Sequence, residues 1–255
     1  MKDYFKHLNK IEFVVTYACT GSCKHCSEGE HSACGEHIDG EKAAEAVKAV
    51  CARYPIATVM TFGGEPLLYP EAVYAIQSAA RDCGVVKRQV ITNGYFTKDS
   101  AKIETVVEQL LRCGVNEILL SVDAFHQETI PISPVMQFAR EVKKRKIPLK
   151  LSPAWLVSRE DDNPYNQKTR EILASFVKEG FEAGEGNIVF PEGNAAIYLK
   201  EYFGDQTPEN PYLQNAFDVN CLSFDPDGSV LGGSISCADI LTIMNEYIPE
   251  PNRRL

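Results

Sequence analysis

The segment Cys19-Thr20-Gly21-Ser22-Cys23-Lys24-His25-Cys26 places three thiols within eight residues. Sulfurs this close in sequence converge only if the chain loops around one centre, and Gly21 lets that loop turn tightly. Thiolate is the soft donor suited to an iron–sulfur cluster or to zinc. A [4Fe-4S] cluster ordinarily takes four ligands, and this loop supplies three. One iron is then left for a ligand from outside the protein. The competing reading is a zinc knuckle with Cys34, His31 or His37 as fourth donor. Zinc knuckles usually combine two Cys/His pairs across a longer spacer, and no second pair of that kind follows, which favours the cluster.

A second cluster of chemistry-bearing residues is Thr61-Phe62-Gly63-Gly64-Glu65-Pro66. Two glycines permit close backbone approach, and Glu65 offers an acceptor for an ammonium group. Thr92-Asn93-Gly94 and Ser121-Val122-Asp123 add polar side chains, each of which also reads as an ordinary cap or turn. Two residues are weak candidates for a catalytic role. His126 follows Asp123 closely, its bland reading being a capped or surface histidine. Cys34 lies in a glycine-containing loop near the three thiols, its bland reading being an incidental thiol. No residue is assigned a catalytic role on sequence alone.

These residues need a scaffold, and the hydrophobic pattern describes one. Strand-like runs occur at Ile11–Thr16, Ala57–Phe62, Arg88–Thr92, Glu117–Val122, Leu149–Leu156 and Asn187–Phe190. Between them lie helical patterns at Gly40–Tyr54, Pro70–Cys83, Lys98–Cys113, Pro134–Lys146 and Gln167–Glu179. The third is the clearest, with Ile103, Val106, Val107, Leu110 and Leu111 on one stripe. Gly84 and Gly114 end two helices. Alternating strand and helix implies an α/β fold with a parallel sheet, open or curled into a full or partial barrel. In a barrel, Cys19–Cys26, Gly63–Glu65, Asn93, Ser121 and Asp123 all fall on the rim at the strands' C-terminal ends. The alternation stops after about Ala195. The expected organisation is a barrel over 1–195 and a small C-terminal extension over 196–255, with a short helix at Ala238–Tyr247.

Cys-x3-Cys-x2-Cys after a first strand, followed by Gly63-Gly64-Glu65-Pro66, resembles the radical S-adenosylmethionine (SAM) superfamily. The resemblance implies a partial (βα)6 parallel barrel and a [4Fe-4S] cluster on Cys19, Cys23 and Cys26. It implies SAM chelating the open iron through its amino and carboxylate groups. Gly63, Gly64 and Glu65 then bind the amino group, and His25 takes a position that is usually aromatic. Asn93, Ser121 and Asp123 contact the carboxylate, ribose or sulfonium region, with Ser152, Ala154 and Phe190 near the ribose and adenine. An electron from the cluster, supplied by a flavodoxin- or ferredoxin-type donor, cleaves SAM to a 5′-deoxyadenosyl radical that takes hydrogen from a substrate.

Cys221, Asp225-Pro226-Asp227-Gly228 and Gly232-x4-Cys237 resemble the opening of the SPASM and twitch extensions of that superfamily. No cysteine follows Cys237, so the expectation is a truncated, cluster-free version. This tail tilts the expected substrate toward a peptide or protein side chain, as in ribosomal peptide maturases. The alternatives are a small molecule, a glycyl-radical-enzyme activase, or a metal-binding module without SAM chemistry. Cys51, Cys83 and Cys113 read as inert packing residues near helix ends.

Composition agrees with an intracellular enzyme. Of 255 residues, 44% are hydrophobic and 24% charged, as in ordinary globular chains. Nine cysteines without a secretory-type start point to metal or redox chemistry rather than disulfides. The absence of a membrane-length apolar run leads to a cytoplasmic expectation with no membrane partner. A net charge of −9 opposes nucleic-acid binding. The basic run Lys143–Lys146 reads as a solvated helix end.

Overall fold

The computed structural model describes residues 3–32, 34–204 and 208–250. Its centre is a parallel sheet in the order β7-β5-β4-β3-β2-β1-β9. The strands are β1 (Lys10–Val14), β2 (Thr58–Phe62), β3 (Lys87–Thr92), β4 (Glu117–Leu120), β5 (Leu149–Leu151), β7 (Glu182–Ala183) and β9 (Cys221–Phe224). The sheet stays open, with β7 and β9 as its edges. Helices α1 (Gly40–Cys51), α2 (Pro70–Asp82), α3 (Ser100–Arg112), α5 (Ile132–Lys144) and α6 (Pro164–Lys178) provide the connections between its strands. A short α4 (Ala124–Gln127) precedes α5.

Alternation along the strands sorts the side chains into two faces. Ile11, Phe13, Val59, Val90, Ile118 and Leu120 are buried in the core shared with the helices. Their neighbours Lys10, Val14, Met60, Phe62, Ile91, Leu119 and Lys150 line a cleft on the opposite face. The helices start where capping chemistry permits. Asp39 and Asp99 accept from backbone N–H groups of the first turns of α1 and α3, satisfying donors that would otherwise be orphaned. Gly84 and Gly114 follow α2 and α3 in left-handed conformations. Leu111, expected on the buried stripe of α3, is 43% exposed because it lies at the flank of the face that Ile103, Val107 and Leu110 bury.

Two strand expectations need correction. The fifth run is two strands, β5 and β6 (Ala154–Trp155), because Pro153 cannot donate to a ladder. The sixth strand of the main sheet is β7, which pairs with β5, whereas β8 (Asn187–Ile188) pairs with β6 in a separate ribbon. Gly184 and Gly186 sit at this crossing, and a Cβ on Gly186 would meet the Pro153 carbonyl oxygen at 2.0 Å.

The tail is tied into the sheet. β9 runs parallel to β1, pairing Lys10 with Cys221 and Phe13 with Phe224, whose rings stack at 4.6 Å. A hairpin of β10 (Ser229–Val230) and β11 (Gly233–Ser234) follows, after the turn at 225–228. Helix α7 (Gly193–Tyr198) precedes this tail, and α8 (Ile240–Glu246) then packs against α1. Among the described residues no helix is long and apolar enough to cross a membrane.

Candidate active site

The loop after β1 carries the three thiols. Its backbone is fastened on both sides, with Cys19 N–H donating to Ser32 O at 2.9 Å and Asn194 N–H to Cys26 O at 2.9 Å. The Asn194 amide also donates to Cys23 O at 3.1 Å. Gly193, at φ 53°, lies so close that a Cβ there would meet Ser27 O at 2.3 Å. The sequence marks Asn194 only as part of Pro191-Glu192-Gly193-Asn194-Ala195, a run that resembles the segment before SPASM and twitch extensions, and its contact with the thiol loop depends on where the fold brings that run.

Each sulfur has a distinct environment. Cys19 Sγ accepts from Gly21 N–H at 3.4 Å and from the Asn93 amide at 3.6 Å. Cys26 Sγ lies 3.0 Å from Nε2 of His31, whose Nδ1 is 2.7 Å from the Tyr17 carbonyl. A carbonyl only accepts, so Nδ1 donates to Tyr17 and the ring turns Nε2 toward the thiol. Cys23 is buried beside the Thr129 side chain. Burial pushes the Cys19 thiol up to about 11 and raises Cys23 and Cys26 as well. Three thiols that resist ionisation this way become thiolates when a cationic centre compensates them, which fits a metal or cluster site.

The glycine turn after β2 is locked to that loop. Gly64 N–H donates to Thr16 O and Glu65 N–H to Ala18 O, both at 2.8 Å. Gly63 has φ 141°, and a Cβ on Gly64 would meet Ala18 O at 2.2 Å. Only residues without side chains permit this approach. Gly63 and Gly64 line the cleft, whereas the Glu65 side chain departs from the expected free acceptor. It is fully buried, taking the Thr92 hydroxyl at 2.7 Å, Leu67 N–H at 3.0 Å and Asn93 N–H at 2.8 Å. Its carboxylate therefore clasps the ends of β2 and β3 together. Burial raises it to about 7 despite these donors.

Asp123 and His126 form a pair at the C-terminal end of β4. Asp123 is fully buried and caps α4, accepting from His126 N–H at 2.9 Å, His126 Nδ1 at 2.8 Å and Ala154 N–H at 2.9 Å. Burial alone would raise its carboxyl, but the His126 imidazole and its N–H groups outweigh that and hold it well below the usual range. His25 packs between Phe125 and His126, with ring centroids 4.8 Å from each. Its burial pushes it down to about 4, and its Nδ1 is buried without a hydrogen-bond partner. An orphaned donor or acceptor of this kind costs about 1–3 kcal/mol unless a bound group satisfies it.

One cleft of about 540 Å³ gathers most of the sequence-predicted residues. It is lined by Cys19, Cys23, Cys26, His25, Gly63, Gly64, Asn93, Ser121, Asp123 and His126, and by Ser152, Ala154 and Phe190. Cys34 stays outside it, exposed in its loop. Lys10, Lys150 and Tyr212 were not anticipated. Lys10 and Lys150 share the strand face that Met60 and Leu119 present to the cleft, and Tyr212 joins them from the tail, its hydroxyl donating to Asn187 at 3.0 Å. Among the distant cysteines, Cys113 is buried as expected, but Cys83 is exposed rather than packed. It caps α2 at the surface.

The fold is similar to solved radical SAM enzymes. Native anSMEcpe with bound AdoMet matches with a TM-score of 0.54 at 16% identity, covering 94% of this chain and 82% of that one. SuiB of Streptococcus suis bound to S-adenosylmethionine matches with a TM-score of 0.56 at 10% identity, covering 95% and 66%. SuiB bound to its precursor peptide SuiA gives 0.55 at 10%, covering 93% and 64%. No curated protein sequence matches the chain. Residues 13–193 match the family model described as the radical SAM superfamily. That span is most of the chain, which therefore belongs to the radical SAM superfamily, enzymes that work with a [4Fe-4S] cluster and SAM.

Proposed function

We propose that Cys19, Cys23 and Cys26 hold the [4Fe-4S] cluster and that the adjoining cleft takes SAM, with a peptide or protein side chain as substrate. The observation that carries this reading is the joining of two motifs. The thiol loop and the Gly63–Gly64 turn are bonded backbone to backbone and open into the same cleft. When bound, the cluster and SAM supply reductive cleavage of the sulfonium and a radical that removes hydrogen.

The chain's own residues position these partners. Gly63 and Gly64 leave room for the methionine end of SAM, and Glu65 holds that turn against β3 rather than reaching into the cleft. Asn93, beside Cys19, and Ser121, on the next strand end, are placed for the carboxylate and ribose. Asp123 fixes the rim by joining α4 to Ala154, so that the ribose and adenine side keeps its distance from the cluster side. The imidazole of His25, tilted against Phe125 with ring centroids 4.8 Å apart, packs between the thiol loop and α4.

Support for a peptide substrate comes from SuiB, a neighbour of similar fold whose structure contains a precursor peptide. The cleft is lined mainly by apolar side chains such as Met60, Phe62, Leu119 and Val189, with Lys10, Lys150 and Tyr212 among its polar groups, a mixture that side chains and backbone of a peptide can both use. A small molecule is the competing substrate class. A flavodoxin- or ferredoxin-type protein delivers the electron, and the reducing cytoplasm, which keeps the three thiols available, is the proposed compartment.

The test is direct. The chain is reconstituted anaerobically with iron and sulfide, reduced and given SAM, and 5′-deoxyadenosine is sought by chromatography. A full cluster that yields none would sink the reading. A candidate peptide encoded beside the gene, added to the same reaction, should lose mass equal to hydrogen or gain a crosslink. An unchanged mass together with product from a small metabolite would shift the substrate class.

A further inference from the structure

Cys23, His25 and His126 have a geometry that the cluster reading does not use. One donor atom from each lies within 4.8 Å of the other two. The three come from different parts of the site, two from the thiol loop and one from α4. Nδ1 of His126 faces the Asp123 carboxylate at 2.8 Å, which fixes the ring and leaves Nε2 as the ring nitrogen available to an ion. A carboxylate behind a histidine is the usual support of a metal-ligating imidazole. His25 contributes a second, independent sign, a buried Nδ1 with no partner among the described residues. The other two thiols are engaged elsewhere, Cys26 with His31 and Cys19 with Gly21 and Asn93.

We propose that, in the cluster-free chain, Cys23, His25 and His126 form a mononuclear site for a divalent ion of the zinc type. One sulfur and two nitrogens suit a borderline-soft ion. Tetrahedral zinc holds such donors about 3.5 Å apart, so side-chain rotations of about 1 Å close the observed triangle. The fourth position opens to the cleft, which His25 and His126 both line. The site goes beyond the cluster reading and competes with it, because Cys23 serves both. Zinc held here withholds one thiolate from cluster assembly, so the chain's maturation is zinc-sensitive.

Cobalt(II) is the probe, titrated anaerobically into the metal-stripped full chain and followed by its tetrahedral ligand-field bands and its thiolate-to-cobalt charge-transfer band. The wild type develops both. Cys23→Ala loses the charge-transfer band, and His25→Ala and His126→Ala lose the tetrahedral bands. Asp123→Asn weakens cobalt binding about tenfold. Cys19→Ala and Cys26→Ala keep the full spectrum. Retention of the bands in His126→Ala, or their loss in both Cys19→Ala and Cys26→Ala, overturns the site. The cysteine arm decides even if a histidine variant folds poorly. In a separate measurement, zinc added before iron and sulfide slows the rise of cluster absorbance in the wild type. Equal rates with and without zinc overturn the competition. The cobalt spectra are read without iron, sulfide or SAM, so the site can fail while 5′-deoxyadenosine forms, or hold while none does.

Discussion

Two regions of this molecule carry cysteines at motif-like spacing, and they are built in opposite ways. In the loop after β1, Cys19, Cys23 and Cys26 all face a common cleft and the backbone is fastened to the β2 turn, to Ser32 and to Asn194. In the tail, Cys221 is buried at the start of β9 beside Glu12, while Cys237 is exposed beyond the hairpin. The strand alone carries the chain about 10 Å between them before the turn. Among the described residues neither tail cysteine belongs to a group of three or more converging Cys, His, Asp or Glu donors. Spacing therefore proposes a site, but convergence on one cavity makes one. The tail's thiols sit on elements whose work is to extend and brace the sheet.

The strongest way to break that contrast is a pair of substitutions. Cys23→Ala should abolish the cluster's visible absorbance and all SAM cleavage after reconstitution. Cys237→Ala should leave both, along with iron content, unchanged. A drop in iron per chain for the second variant would mean that the tail holds a cluster after all. A smaller but still large effect is expected at the fastening itself. In Gly64→Ala the new Cβ meets the Ala18 carbonyl at 2.2 Å, a backbone atom that cannot swing away. Displacement of the β2 turn should cost about 1–3 kcal/mol in urea unfolding and lower the cluster yield. Wild-type stability and yield in this variant would show that the loop and turn are not interlocked.

Next comes the clasp. The folded chain holds the Glu65 proton up to about 7, against 4.5 for the free group. A carboxyl with a raised folded-state value adds stability that is fully present below 4.5 and is lost as pH rises through 7. For the cluster-free chain this amounts to roughly 3 kcal/mol across that window. His25, pushed down by burial, contributes the opposite slope, but it does so in both chains and cancels in a difference. The stability difference between wild type and Glu65→Gln, measured by urea unfolding, should therefore shift in favour of Gln as pH rises from 4.5 to 7. A pH-independent difference would mean that Glu65 is less enclosed than the structure places it.

How much of this could be read in the residues follows the range of the interactions involved. The thiol loop, the glycine turn and the rim at Asn93, Ser121 and Asp123 depend on strand ends, and the alternation of strand and helix located those. Pro153 was a visible breaker in the fifth run, yet the apolar residues on both sides concealed it. The inward turn of Glu65 was not legible, because its donors Thr92 and Asn93 arrive from a strand 27 and 28 positions away. Nor was the contribution of Lys10, Lys150 and Tyr212, which depends on which strand face opens to the cleft and on where the tail runs. Spacing showed His126 near Asp123 but not that it shares a donor triangle with Cys23 and His25, since that depends on how α4 meets the loop.

The smallest expected effect sharpens the role of the tail. Tyr247, just past α8, is 3% exposed, and its hydroxyl donates to Ala216 O at 2.9 Å. Its ring packs against Phe5 and Tyr4 at centroid distances of 5.6 and 6.2 Å, so the end of the tail is pinned to the start of the chain. Tyr247→Phe keeps the ring contacts and removes one buried hydrogen bond, leaving the Ala216 carbonyl short of a donor. A loss of about 1 kcal/mol in urea unfolding is expected. Cluster absorbance and the rate of 5′-deoxyadenosine formation should not change, because the pinned element packs on α1 and β11, away from the strand ends that carry the thiols. If this variant instead altered SAM cleavage at unchanged stability, the tail would be acting on the cleft, and the division between a chemical loop and a bracing tail would have to be abandoned.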